Sequence, residues 1–143
     1  MGSTTVGYRM LPGTRAAVGR VGNHTVIANR PEGRNGGIGL GFNGGELLAL
    51  AIGGCFCNDL QAVADDMRLE IADLAVSVTI DFDGQPSRAS GARMEVRCAL
   101  ADGSDASGLI ERAKAVTTIS NSLIAGIPVR IDVAAAALDG GNG

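Results

Sequence analysis

The chain contains no tryptophan, one tyrosine, three phenylalanines and a single histidine. Aromatic residues fill 3% of its 143 positions, too few to build the stacking platforms that hold nucleic-acid bases. A basic run is also missing, since twelve Lys and Arg stand against fifteen Asp and Glu for a net charge of −3. Electrostatic attraction to nucleic acid therefore has no support. Three cysteines, an odd number, are too few for a disulfide scaffold. In the first thirty residues Arg9, Arg15, Arg20 and several glycines interrupt any apolar core of a secretory signal. A reducing cytoplasm is the expected compartment. The longest apolar stretch, from Leu47 to Ile52 and onward, is broken by Gly53, Gly54, Asn58 and Asp59, so it is expected to be too short and too polar to span a membrane.

What is present is 45% apolar residues and 22 glycines, a composition that excludes a disordered segment. The length fits one domain, residues 1–143, with a glycine-rich tail from Asp139 that is expected to be loose. Residues 6–31 read as short strands, with Val21-Gly22-Asn23-His24 turning between Ala17-Val18 and Thr25 to Ala28. Pro31 to Gly45 holds seven glycines without apolar period and reads as a flexible loop. A helix is expected from about Glu46 to about Arg68; Leu47 to Ile52 is apolar on every face, which marks a helix buried all round.

Strict alternation follows. Leu74, Val76, Val78, Ile80 and Phe82 share one face, as do Ala92, Met94, Val96, Cys98 and Leu100, which predicts an antiparallel pair with one wet face. A second helix starts near Ser104 or Asp105, and Ser120 is placed to cap a short turn from Asn121 to Ala125. Val129-Arg130-Ile131-Asp132-Val133 alternates again as a last strand. The order predicts an α+β fold with antiparallel sheets on a long buried helix. A one-faced sheet covers only one side of such a helix, so a second subunit is expected on the other.

Gly39-Leu40-Gly41-Phe42-Asn43-Gly44 is formally GxGxxG ahead of a helix. A dinucleotide fingerprint needs a buried strand directly before the first glycine. Here the preceding segment is polar and holds Pro31, so no nucleotide cofactor is implied. Cys55 and Cys57 stand two apart, about 200° around a helix, and cannot readily pair. His24, Cys98 and scattered acids lack metal-ligand spacing, so no metal is expected. On composition alone the three thiols read as small core residues.

The run Asn43-Gly-Gly-Glu46-Leu-Leu-Ala-Leu-Ala-Ile-Gly-Gly-Cys55-Phe, then Met67-Arg68 and an alternating strand, resembles the first cysteine helix of the OsmC/Ohr superfamily, the osmotically induced and organic hydroperoxide resistance proteins. Ala115 to Val129, with Thr117-Thr118-Ile119-Ser120 and Pro128, is similar to its second cysteine segment. The resemblance spans essentially the whole chain and implies an OsmC-like fold, an intertwined α+β homodimer.

It further implies thiol-dependent reduction of organic hydroperoxides, with Cys55 at the peroxidatic position. The family's Cys-Pro-Ile-Ser reads Thr117-Thr-Ile-Ser here, so the resolving cysteine is replaced by Thr117 and a one-cysteine route is implied. An external thiol or lipoyl dithiol would then serve as reductant, with no bound cofactor. The glutamate expected ten residues before the cysteine falls on Gly45, and Glu46 follows it. Cys55 sits mid-helix, out of reach of the helix dipole, and Asp59 one turn on opposes ionisation. A thiolate there calls for a cation, which the family takes from an arginine of the N-terminal hairpin: Arg15 is preferred, with Arg20 as the alternative. The other reading is a non-catalytic relative that binds a small apolar ligand or partner at the dimer interface.

Overall fold

The computed structural model describes residues 2–135. Three short strands come first: β1 (Gly7–Met10), β2 (Ala17–Val21) and β3 (His24–Ala28) form an antiparallel sheet in that order. The hairpin between β2 and β3 turns on Gly22 and Asn23, with Val21 facing His24, as the turn residues predict. Phe42 then runs parallel to β3, its N–H donating to Ile27 O at 2.8 Å, and ties this sheet to the body of the fold.

The loop between them is held by specific bonds and is not the featureless linker its glycines suggest. Asn29, buried, accepts from the N–H groups of Ile38 (3.0 Å) and Leu40 (3.1 Å) through one carboxamide oxygen. Gly37 N donates to Arg34 O at 2.8 Å and Gly39 N to Arg30 O at 3.1 Å. Backbone donors that a glycine-rich segment would leave to water are thus satisfied internally.

Helix α1 (Gly44–Asp66) begins with a reciprocal cap: Glu46 N donates to Asn43 Oδ1 at 2.9 Å, and Asn43 N to Glu46 Oε1 at 3.0 Å. One face, Ile52, Gly53, Phe56, Leu60 and Ala64, is buried, at the spacing of one helical stripe. Phe56 and Leu60, with Leu109, are the largest fully buried side chains, each contributing about 1.5–3 kcal/mol. The opposite face stays open within the chain, with Leu50 53% exposed. The expectation of burial all round is therefore met on one side only by this chain's own elements. At 23 residues, with an 18-residue window of mean hydropathy 1.5, α1 is also long and apolar enough to cross a membrane. The expectation that it is too short is corrected; its packing on the strand and the two helices that follow it in the chain makes it the core helix instead.

Strands β4 (Ile71–Asp83) and β5 (Arg88–Leu100) form a long antiparallel pair in which Leu74 faces Cys98, Val76 faces Val96 and Val78 faces Met94. These pairs turn toward α1, as the alternation predicts. The helix lies close on this sheet at Gly53, where a Cβ would stand 3.1 Å from Val78 Cγ2. Helix α2 (Ser107–Val116) buries Leu109 and Ala113, and α3 (Thr118–Ala125) follows after a single residue, Thr117. Both starts differ from expectation. Ser107 N is bound by Asp105 Oδ1 at 3.1 Å, so Asp105 stands just outside α2, and α3 begins before Ser120 and includes it.

The last strand predicted at Val129–Val133 does not form within the chain. Val129, Ile131 and Val133 are 81%, 90% and 96% exposed, and no strand of either sheet pairs with them. An alternating segment becomes a strand only where it meets an edge that accepts its ladder, and this segment lies against none of the chain's own edges. The expected loose tail from Asp139 lies outside the described residues.

Candidate functional site

Cys55 precedes the buried Phe56 by one residue, about 100° round the helix, so it sits at the edge of the core stripe and is half-buried. Its Sγ donates to Asp59 Oδ2, one turn on, at 3.4 Å. From the other side Thr117 Oγ1 donates to Cys55 Sγ at 3.9 Å, across 62 residues of sequence.

Thr117 is placed there by the junction of two helices. It is the C-cap of α2, its N–H donating to Ala113 O at 2.9 Å, and the N-cap of α3, its carbonyl accepting from Asn121 N at 3.2 Å. A threonine at an N-cap ordinarily turns its hydroxyl onto the next helix. Here the hydroxyl makes no cap bond and reaches the thiol, while the residue itself is 2% exposed. The residue that stands for the family's second cysteine in sequence thus also stands beside Cys55 in space.

The other residues singled out in sequence are not gathered at Cys55 within the chain. Glu46 belongs to the α1 cap, about 13 Å along the helix axis from Cys55. Arg15 is exposed ahead of β2, its Nη1 donating to Asn35 O at 3.3 Å. Arg20 is exposed on β2 opposite Thr25, and His24 is exposed at the start of β3. Among the described residues no hydrogen bond joins an arginine to Cys55, and no three His, Cys, Asp or Glu converge as metal ligands. All three thiols are free. Cys98 packs against the core, where burial and then the nearby Asp73 push its thiol pKa up.

One turn from the Cys55–Thr117 pair, on both helices, lies a cavity of about 430 Å3 lined by Leu48, Ile52, Met94, Ser120, Leu123 and Ile124 among others. The Ser120 hydroxyl is buried there without a hydrogen-bond partner. Sequence reasoning placed Ser120 at a helix start and missed it as a cavity wall, because only the packing of α3 on α1 brings it there.

A sheet of three short strands, a long helix with a half-buried cysteine, and one long antiparallel pair packed on that helix make an α+β fold. Residues 35–132 match the family described as OsmC-like protein, and the chain belongs to that family. Solved structures share its fold at low identity. An OsmC-like protein from Mycoplasma pneumoniae superposes with a TM-score of 0.73 at 12% identity, over 86% of this chain and 88% of that one. An organic hydroperoxide resistance protein from Elizabethkingia anophelis gives 0.62 at 20% identity, over 85% and 88%. One from Legionella pneumophila, an organic hydroperoxide resistance protein OsmC, gives 0.62 at 17%, over 86% and 90%. No curated protein sequence matches the chain.

Proposed function

We propose that the protein acts in oxidative-stress defence as a homodimeric, thiol-dependent reductase of organic hydroperoxides, with Cys55 as its only catalytic cysteine. The observation that carries this is the Cys55–Thr117 juxtaposition: a half-buried thiol on the core helix faces a hydroxyl where a second thiol would close a disulfide. In the first step the Cys55 thiolate attacks one oxygen of ROOH. An S–O bond forms, the O–O bond breaks, and the alcohol ROH leaves with a proton, so the sulfur becomes sulfenic acid. An external thiol then displaces water to form a mixed disulfide. A second thiol, from the same dithiol or another molecule, releases Cys55 and carries away the oxidised disulfide. Three free thiols fit a reducing compartment such as the cytoplasm.

The cation that a thiolate needs is Arg15, or Arg20, supplied across the dimer, since within one chain Arg15 lies at the far end of α1. Glu46 is assigned beside it as an acid of the same end. The dimer is argued from Leu50 on α1 and from Val129, Ile131 and Val133 of the unpaired segment, apolar side chains that the chain itself leaves uncovered. The test is intact mass after one equivalent of cumene hydroperoxide. An added oxygen that disappears in Cys55→Ser supports the enzyme; no reaction in folded, reduced protein overturns it. A second reading, a non-catalytic binder of a small apolar ligand, draws on the cavity beside the pair and the unpartnered Ser120 hydroxyl within it.

A further inference from the structure

We propose that Asp59 carries the proton of the peroxide reaction, taking it from the Cys55 thiol as the sulfur attacks and delivering it to the departing alkoxide. The inference rests on the role proposed for Cys55 and adds a second catalytic residue beside it.

Asp59 is partly buried on α1, one turn after Cys55. Its one side-chain hydrogen bond among the described residues comes from Cys55 Sγ, at 3.4 Å. The ion pairs among those residues, Arg93–Asp81, Lys114–Glu111 and Arg130–Asp132, all lie elsewhere. Nor does the helix itself hold this carboxylate. Asp59 lies well inside Gly44–Asp66, where backbone N–H groups are bonded to carbonyls one turn back. A carboxylate withdrawn from water ordinarily takes a cation or several N–H donors. Here it takes a thiol. Neither capping nor charge pairing explains why an acid stands there.

The hydrogen bonds have a direction. Thr117 Oγ1 donates to Cys55 Sγ at 3.9 Å and to no other described group, and the residue is 2% exposed. Cys55 Sγ in turn donates to Asp59 Oδ2. The thiol proton therefore points at a carboxylate oxygen, while a hydroxyl proton faces the sulfur from the junction of α2 and α3. A carboxylate beside a thiol opposes a free thiolate. It does not oppose transfer of the proton to itself, which leaves the net charge of the pair unchanged. The arginine proposed across the dimer favours the same transfer, by stabilising negative charge on the sulfur.

The thiol proton passes to Asp59 Oδ2 as the sulfur's electron pair attacks the terminal oxygen of ROOH. An S–O bond forms, the O–O bond breaks, and its electron pair leaves on the alkoxide. Asp59, within reach of that oxygen directly or through one water, protonates it to ROH and returns to a carboxylate. Cys55 is left as sulfenic acid. Proton transfer by a side chain so placed contributes roughly 10²–10⁴-fold.

The experiment follows oxidation of Cys55 in the reduced, full-length protein, by denaturing quench with N-ethylmaleimide and peptide mass, using tert-butyl hydroperoxide and peracetic acid. Both oxidants transfer an oxygen to the same sulfur, but their leaving groups differ. tert-Butoxide is a strong base that must be protonated as it leaves, whereas acetate leaves without a proton. Asp59→Asn is therefore expected to slow the hydroperoxide at least about tenfold relative to the peracid. The ratio of the two rates cancels any change in thiolate content. Should the variant fail to fold, the parent decides, because its solvent deuterium isotope effect should be larger with the hydroperoxide than with the peracid. Equal slowing of both oxidants or of neither in a folded variant, or equal isotope effects where the parent decides, overturns the inference and leaves Cys55 its role. A parent whose Cys55 reacts with neither oxidant overturns the thiol reading and this inference with it.

Discussion

Thr117 Oγ1 lies 3.9 Å from Cys55 Sγ, a hydroxyl set against a thiol by the junction of two helices. Replacing that hydroxyl with a sulfur requires the two sulfurs to close to about 2 Å, a change within reach of side-chain rotation. Thr117→Cys is therefore expected to form an intramolecular disulfide with Cys55 on treatment with one equivalent of hydroperoxide. Intact mass should show the loss of two hydrogens in the variant and the gain of oxygen in the parent. Under excess peroxide the parent should advance to sulfinic acid and stay there, while the variant is protected.

Leu50 is 53% exposed on a helix that is otherwise the core of the fold. The protein should run at twice its monomer mass in sedimentation analysis. Leu50→Glu should unfold or aggregate rather than yield a folded monomer, because obligate dimers rarely have one. A soluble, folded monomer of either protein would refute the packing argument.

The α1 cap separates the charge of Glu46 from its hydrogen bond. Glu46→Ala removes the acceptor that Asn43 N uses and is expected to cost about 0.5–1 kcal/mol in urea denaturation. Glu46→Gln keeps an acceptor and should leave stability nearly unchanged. Should peroxide turnover fall in Glu46→Gln at unchanged stability, the carboxylate has a role in the chemistry; turnover equal to the parent confines Glu46 to the cap.

Phe56 is 1% exposed at the centre of the cluster with Leu60, Leu100 and Leu109. Phe56→Ala should destabilise by about 3–5 kcal/mol, which in a single domain of this size approaches the whole margin. Thermal melting would show it directly, as loss of the cooperative transition or a large drop in its midpoint.

Two exposed aspartates contribute to the acid limb of stability. Hydrogen bonds from the Ser104 side chain and N–H hold Asp102 below the usual aspartate range, and bonds from Ser107 do the same for Asp105. Both carboxyls are depressed in the folded state, so their stabilisation is complete above the ordinary aspartate pKa and is lost as pH falls through the lowered folded values. Asp102→Asn and Asp105→Asn should flatten the decline of the melting midpoint in that acid range and change little at neutral pH. An acid limb identical in parent and variants would contradict the assignment.

The long elements were legible because each has a strong period. Alternation from Leu74 to Ile80 and from Met94 to Leu100 predicted both strands and the face they bury, and the apolar run from Leu47 predicted the core helix. Even its true start was written in the Asn43-Gly-Gly-Glu46 spacing, a capping box that puts the first helical residue, Gly44, three residues ahead of the apolar run from Leu47. The α+β class and the family resemblance around Cys55 rest on the same local patterns. Such signals are carried by residues close in sequence, and local sterics and burial read them without knowledge of the rest.

Tertiary structure decided what depends on residues far apart. Whether Val129–Val133 becomes a strand depends on its reaching a sheet edge, and within the chain it pairs with none. Whether the Pro31–Gly45 glycines make a loose or a fixed loop depended on Asn29, whose carboxamide is an ordinary loop residue until its burial gives it two donors to satisfy. Thr117 could be matched to a cysteine position by resemblance, but its hydroxyl meets Cys55 only because α2 and α3 join over α1. Hydrophobic period specifies which face of an element turns inward; only the packing of those faces on one another determines which side chains meet.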